Sequence, residues 1–143
     1  FHRESLRQVG DFDRSVRIGE DFLLYLRLGA HAQMVCHGAL VADYRKHAGQ
    51  QTKRPAALLE STLRSQREFR ATFDESTQND RIWRDAERHW RCYWGQWIPN
   101  EVIKSGLRRD WARLRASLST YLRHLPHTAA GTARYGAQRL LGR

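Results

Sequence analysis

Residues 17–35 read RIGEDFLLYLRLGAHAQMV, a Gly-Glu-Asp turn followed by a dense apolar run. The run predicts a helix that starts near Glu20 and ends around Gly29. Its Phe22, Leu23, Leu24, Leu26 and Leu28 cover most of the circumference, so the helix should be buried on several sides. Glu20 and Asp21 then fall in the first turn, where carboxylates meet unpaired N–H groups and the positive end of the helix dipole. A pair of acids there is ordinarily a cap. Whether these two do more depends on the sequence around them.

Upstream, HRESLRQVG predicts a short helix stopped by Gly10, a residue suited to the left-handed position after a helix. DFDRSVRIG follows as a turn-rich loop. Downstream, AQMVCHGALVADYRKH contains two short β-like runs, 34–36 and 40–44, separated by Gly38. GQQTKRP is a loop that delivers Pro55 as a first helical residue. Beyond Pro55 the pattern is helical, with expected helical hairpins. Leu58, Leu59, Thr62, Leu63, Phe69 and Phe73 share one side, and Glu60–Arg64 and Arg64–Glu68 stand at i,i+4 spacing. Trp83, Trp90 and Trp97 recur seven apart with Trp94 beside them, a spacing that reads as packing between helices. Leu107, Trp111, Leu114, Leu118, Leu122 and Leu125 form an apolar stripe that Pro126 ends. The change near Pro55 divides the chain into 1–54, which mixes turns, helix and strand, and 55–143, an amphipathic helical extension.

No apolar run is long enough to span a bilayer, and no secretory signal is visible. The only methionine is Met34 and the chain opens on Phe1, so the expectation is a piece of a longer or processed protein. Cys36 and Cys92 are isolated, which argues against a zinc ribbon or finger. They fit two free thiols in a reducing, cytoplasmic compartment, or one disulfide. Positive charge concentrates at the end: residues 102–143 hold nine Lys/Arg and one acid, Asp110. Such a segment attracts phosphates on nucleic acid, on anionic lipid or on a substrate. Arginine outnumbers lysine 22 to 3, a bias that can arise from coding alone.

Four pieces of residues 1–52 carry a more specific signal. They are FHRESLRQVGDFD, with Arg, a short helix, Gly and then Phe-Asp; GED at a helix start; LYLRL in the helix that follows; and YRKHAGQQT. In this order and spacing they resemble the C-terminal half of the catalytic domain of family-2 glycosyltransferases, which have the GT-A fold. The resemblance covers a little over a third of the chain. It implies an α/β fragment of GT-A type, predominantly helical in this chain, with residues 1–54 as the acceptor-side part of the domain. By the same resemblance, Asp21 is the general base that deprotonates the acceptor hydroxyl, and Glu20 is its partner. His47 would help bind a divalent metal, Mn²⁺ or Mg²⁺, that holds the nucleotide-diphosphate sugar. Arg45 and Lys46 would face that diphosphate, and Arg3 would lie near the acceptor side.

These roles suit inverting sugar transfer, a displacement that needs a base for the attacking hydroxyl and charge stabilisation for the departing diphosphate. The resemblance does not extend to a nucleotide-binding half ending in Asp-x-Asp, so the isolated chain is expected to be inactive. Asp11 and Asp13 do spell Asp-Phe-Asp, but in the turn of the later half, and they read as a loop feature. The expected partners are a nucleotide sugar, a saccharide or lipid-linked acceptor of the envelope-polysaccharide kind, and a peripheral membrane surface met by residues 102–143. Nucleic acid is not expected under this reading, which puts the protein in the cytoplasm or at the inner face of the cytoplasmic membrane. The alternative is a non-catalytic basic helical module that binds nucleic acid or anionic membrane.

Overall fold

Two glycines with positive φ, Gly10 (85°) and Gly19 (72°), bracket the loop between the first two helices. The first helix, α1 (Arg3–Gln8), ends where Gly10 turns the chain, and α2 (Glu20–His31) starts directly after Gly19. The computed structural model describes residues 2–35, 38–43, 45, 47, 50–73 and 80–140. Beyond a single 3₁₀ turn at Gln51–Lys53 come α3 (Pro55–Arg70), α4 (Asp80–Gly95), α5 (Ile98–Leu107), α6 (Trp111–Arg123) and α7 (His127–Leu140).

The strands expected at 34–36 and 40–44 do not form. Met34, Val35 and residues 40–43 have no regular structure, while Cys36 and Tyr44 lie outside the described residues. Among the described residues there is no strand at all, so the α/β architecture of GT-A type is not what this chain adopts. The physical reason is the absence of pairing. A strand leaves its N–H and C=O groups unsatisfied unless a neighbour runs beside it. Val35, Leu40 and Val41 instead stay about four-fifths exposed. Their β-branched and apolar character is a local preference with nothing to pair against.

The main core is built around α3. Ala56, Leu59 and Leu63 of α3 pack with Ile98 of α5, flanked by Trp90 and Trp94 of α4, Val102 of α5 and Tyr121 of α6. Leu59 and Ile98 are fully buried, each contributing about 1.5–3 kcal/mol on burial. A smaller cluster joins Val9 to Leu24 and Leu28, with Leu6 against it. The edge-on contact of Phe22 with Trp90, ring centroids 5.1 Å apart, links α2 to α4. Farther along, Trp83 packs on Phe69 and Phe73, and Arg70 pairs with Asp80 across the α3–α4 connection.

Two polar latches fasten these helices. Glu101 of α5 is buried, and its Oε2 accepts the Ala56 N–H (3.1 Å), an otherwise orphaned donor in the first turn of α3. Its Oε1 accepts from Arg113 Nε (2.8 Å), and the same guanidinium donates to the Lys53 carbonyl (2.6 Å). In the second latch, Glu60 Oε1 accepts from Thr120 Oγ1, Arg123 and His124 Nε2. Behind α4, α7 comes so close that a Cβ on Gly95 would lie 2.7 Å from Thr128 Cα, and one on Gly131 would collide with the Cys92 carbonyl.

The latches reverse α6. The leucine stripe predicts its core face, yet Ser117 (1% exposed) and Thr120 (7%) are buried while Trp111 (58%) and Leu122 (56%) face solvent. Hydrogen bonds to Glu60 and the Arg113–Glu101 pair orient the helix, and the apolar stripe is left on the opposite side. Among the described residues no helix is long and apolar enough to cross a membrane.

Glu101→Ala should lower stability by about 2–4 kcal/mol, because it strands the Ala56 donor and the half-buried Arg113 charge together. Denaturant unfolding checks this, and a loss below about half a kcal/mol would show that the latch is dispensable. A second expectation concerns pH. Burial pushes the His124 imidazole below its ordinary value, against the pull of Glu60 and with help from the charges of Arg91 and Arg123. The unfolded chain therefore takes up this proton first as the pH falls. Stability contributed by neutral His124 is full above the ordinary histidine value of about 6.5. It declines as the pH drops below that value and levels off beneath the folded-state value. His124→Gln should flatten that part of a Tm-against-pH curve; an unchanged slope would refute the assignment.

Candidate functional site

Gly19 sets the position of the two carboxylates. Its left-handed backbone turns the loop into α2, and the two carbonyls before it are tied down. Ile18 O accepts from Ser61 Oγ of α3 (2.5 Å), and Arg17 O accepts from Gln51 Nε2 (3.3 Å). Farther back in the loop, Asp13 receives Arg27 of α2 (3.0 Å) as well as the hydroxyl and N–H of Ser15. The Ser15 hydroxyl, then its N–H, then Arg27 hold the Asp13 carboxyl below the usual carboxylate range. Asp13 is thereby committed to the loop, as the sequence reading of Asp-Phe-Asp expects.

Glu20 and Asp21 open onto a cavity of about 800 Å³, and Arg45 and His47 line the same space. Four residues singled out from two separate sequence pieces thus share one cavity. Gln50, buried behind the loop, donates from Nε2 to the Arg45 carbonyl (2.8 Å) and so fixes the backbone that carries Arg45. Arg3 sits exposed on α1 and is not among the lining residues. Lys46 lies outside the described residues.

Asp21 is exposed, and its Oδ1 accepts the neighbouring Phe22 N–H (2.8 Å). That bond holds the carboxylate at the helix start, beside the cavity that Asp21 lines. Glu20 is half-buried, and its Oε2 is shielded from solvent without a hydrogen-bond partner.

The rest of the wall comes from residues that the sequence assigns to packing. Leu58 and Thr62 of α3 and Trp90 and Trp94 of α4 line the cavity, together with Tyr25 of α2. Trp94 Nε1 is buried and also lacks a partner. The lining residues thus include a buried acceptor and a buried donor without a partner among the described residues, groups that are costly to bury unpaired. The i,i+4 spacing of Trp90 and Trp94 was the available signal, but it fits core packing equally well.

Among the described residues no three His, Cys, Asp or Glu side chains gather as a metal site. The described residues do not by themselves supply the ligand set of the divalent ion implied by the resemblance. Comparison with protein families, with curated proteins and with solved structures finds no match.

Gly19→Ala tests how the pair is placed. An added Cβ would meet nothing within 4 Å, so the cost is conformational alone, about 1–2 kcal/mol for a left-handed alanine. Gly19→Asn should cost less, because asparagine tolerates that region. Equal losses for the two variants in chemical unfolding would show that φ at this position is not the constraint.

Proposed function

We propose that the cavity is the acceptor-side site of a glycosyltransferase, one that moves a sugar from a nucleotide-sugar donor to a hydroxyl of a saccharide or lipid-linked acceptor, with inversion. The observation that carries the reading is the convergence of Glu20, Asp21, Arg45 and His47 on one aromatic-walled cavity. It rests on this cavity and on the motifs of residues 1–52, and not on the β-sheet of the GT-A fold, which the described residues lack.

The chemistry follows from the groups present. The cavity-lining rings of Trp90 and Trp94 supply apolar surface for the C–H side of a sugar ring. Asp21 takes the proton of the attacking hydroxyl as the new C–O bond forms at the anomeric carbon and the bond to the diphosphate breaks. Arg45 and His47 bring positive charge or hydrogen-bond donors to the departing diphosphate. The Mn²⁺ or Mg²⁺ expected with such a donor would need ligands in addition to His47. A donor and acceptor of this kind are met in the cytoplasm, including the inner face of the membrane.

Asp21→Asn in the enzyme that carries this chain should lower the rate of transfer by roughly 10²–10⁴-fold. The fold should survive, because Asn keeps an oxygen for the Phe22 N–H. The measurement is sugar transfer from a panel of nucleotide sugars, with circular dichroism as the folding control. Transfer at the parental rate would remove Asp21 from the role of base.

A further inference from the structure

Helix α6 presents its apolar residues to water. Trp111 (58% exposed), Leu118 (43%) and Leu122 (56%) recur at helical spacing on the side opposite buried Ser117 and Thr120, and Leu125 (45%) follows them at the helix end. Exposing four large apolar side chains on one face, where serine and threonine could have stood, marks a surface that meets something. Cations accompany them. Arg108 and Arg109 directly precede the helix and Arg115 lies on its outward face, all three exposed and none in an ion pair among the described residues. Asp110, the one acid in residues 102–143, caps α6 through the Arg113 N–H (3.1 Å), while Glu101 is buried against Arg113 on the inward side.

We infer that this face of α6 docks on an anionic lipid surface, with Trp111, Leu118 and Leu122 entering the headgroup–acyl boundary and Arg108, Arg109 and Arg115 lying against the lipid phosphates. Charge selects this occupant. A second copy packed through this face would offer Arg115 no carboxylate, since residues 111–125 contain no acid. Nucleic acid would satisfy the arginines but would leave the leucines in water. An anionic bilayer answers both, since apolar insertion and headgroup attraction act on the same face. The inference is independent of the reading of the cavity, which α6 does not line.

The test is co-sedimentation of the chain with phosphatidylcholine vesicles that either contain or lack phosphatidylglycerol. Binding should require the anionic lipid and weaken with added salt. Leu118→Asp/Leu122→Asp should reduce partitioning by about tenfold or more, and Arg115→Glu by about fivefold or more. Because these side chains already face solvent, circular dichroism should be unchanged. Leu118→Gln/Leu122→Gln repeats the measurement without new charge should the acidic variant misfold. Failure of the parent chain to bind the anionic vesicles overturns the inference, as does undiminished binding by both leucine variants. Loss of a dimer in the leucine variants with vesicle binding intact also overturns it, and makes the face a contact between copies.

Discussion

Folding α3 into the middle of this bundle withdraws its first turn from water, and the Ala56 N–H then has no partner within its own helix. The carboxylate that answers it belongs to Glu101, 45 residues away. Because the other oxygen of Glu101 holds Arg113, and Arg113 reaches back to the Lys53 carbonyl, one buried anion fixes three things at once. It sets where α3 begins, how α5 lies against it, and which way α6 is turned. A buried carboxylate is tolerated only when its partners are complete. The residues that complete it are drawn from positions far apart in the chain, so the latch resists being built piecemeal.

That dependence explains how α6 departs from its sequence pattern. Periodicity in Trp111, Leu118 and Leu122 identifies a face, but hydrophobicity alone does not decide which way the face points. Arg113, Thr120 and His124 lie on the other side, each committed to a carboxylate on α5 or α3. Together with fully buried Thr128, which donates to the Tyr121 carbonyl (3.0 Å), they make this part of the interior polar and hydrogen-bonded. A stripe rule assumes an oily interior and so fails where the interior is a network.

Much of the remainder was legible locally. Gly10 and Gly19 mark turns because their backbone angles demand it, and Pro55 marks a helix start because its fixed φ fits there. Of the cavity, only the names of four lining residues were legible, Glu20, Asp21, Arg45 and His47, and those through the resemblance and not through any pattern that announces a cavity. Its aromatic half was not, since Trp90 and Trp94 reach the space only through the packing of α4 on α3 and Phe22. The strands at 34–36 and 40–44 failed for the converse reason. A strand is a property of a pair of segments, and Met34, Val35, Leu40 and Val41 can show β preference without any partner to express it.

The close approach of α4 and α7 at Gly95 and Gly131 bears on how this cavity could evolve. Trp90 and Trp94 stand on one side of α4, while Cys92 and Gly95 on the other side leave no space for even a methyl group between the two helices. With its back held in this way, α4 cannot move closer to α7, and a bulkier residue between the two would press it toward the cavity. Substitutions at Gly131 or Thr128, neither of which lines the cavity, would therefore retune its width without touching a lining residue. Buried positions on the far side of α4 thereby bear on the shape of a cavity that none of them lines, while Glu20 and Asp21 keep their place at the start of α2.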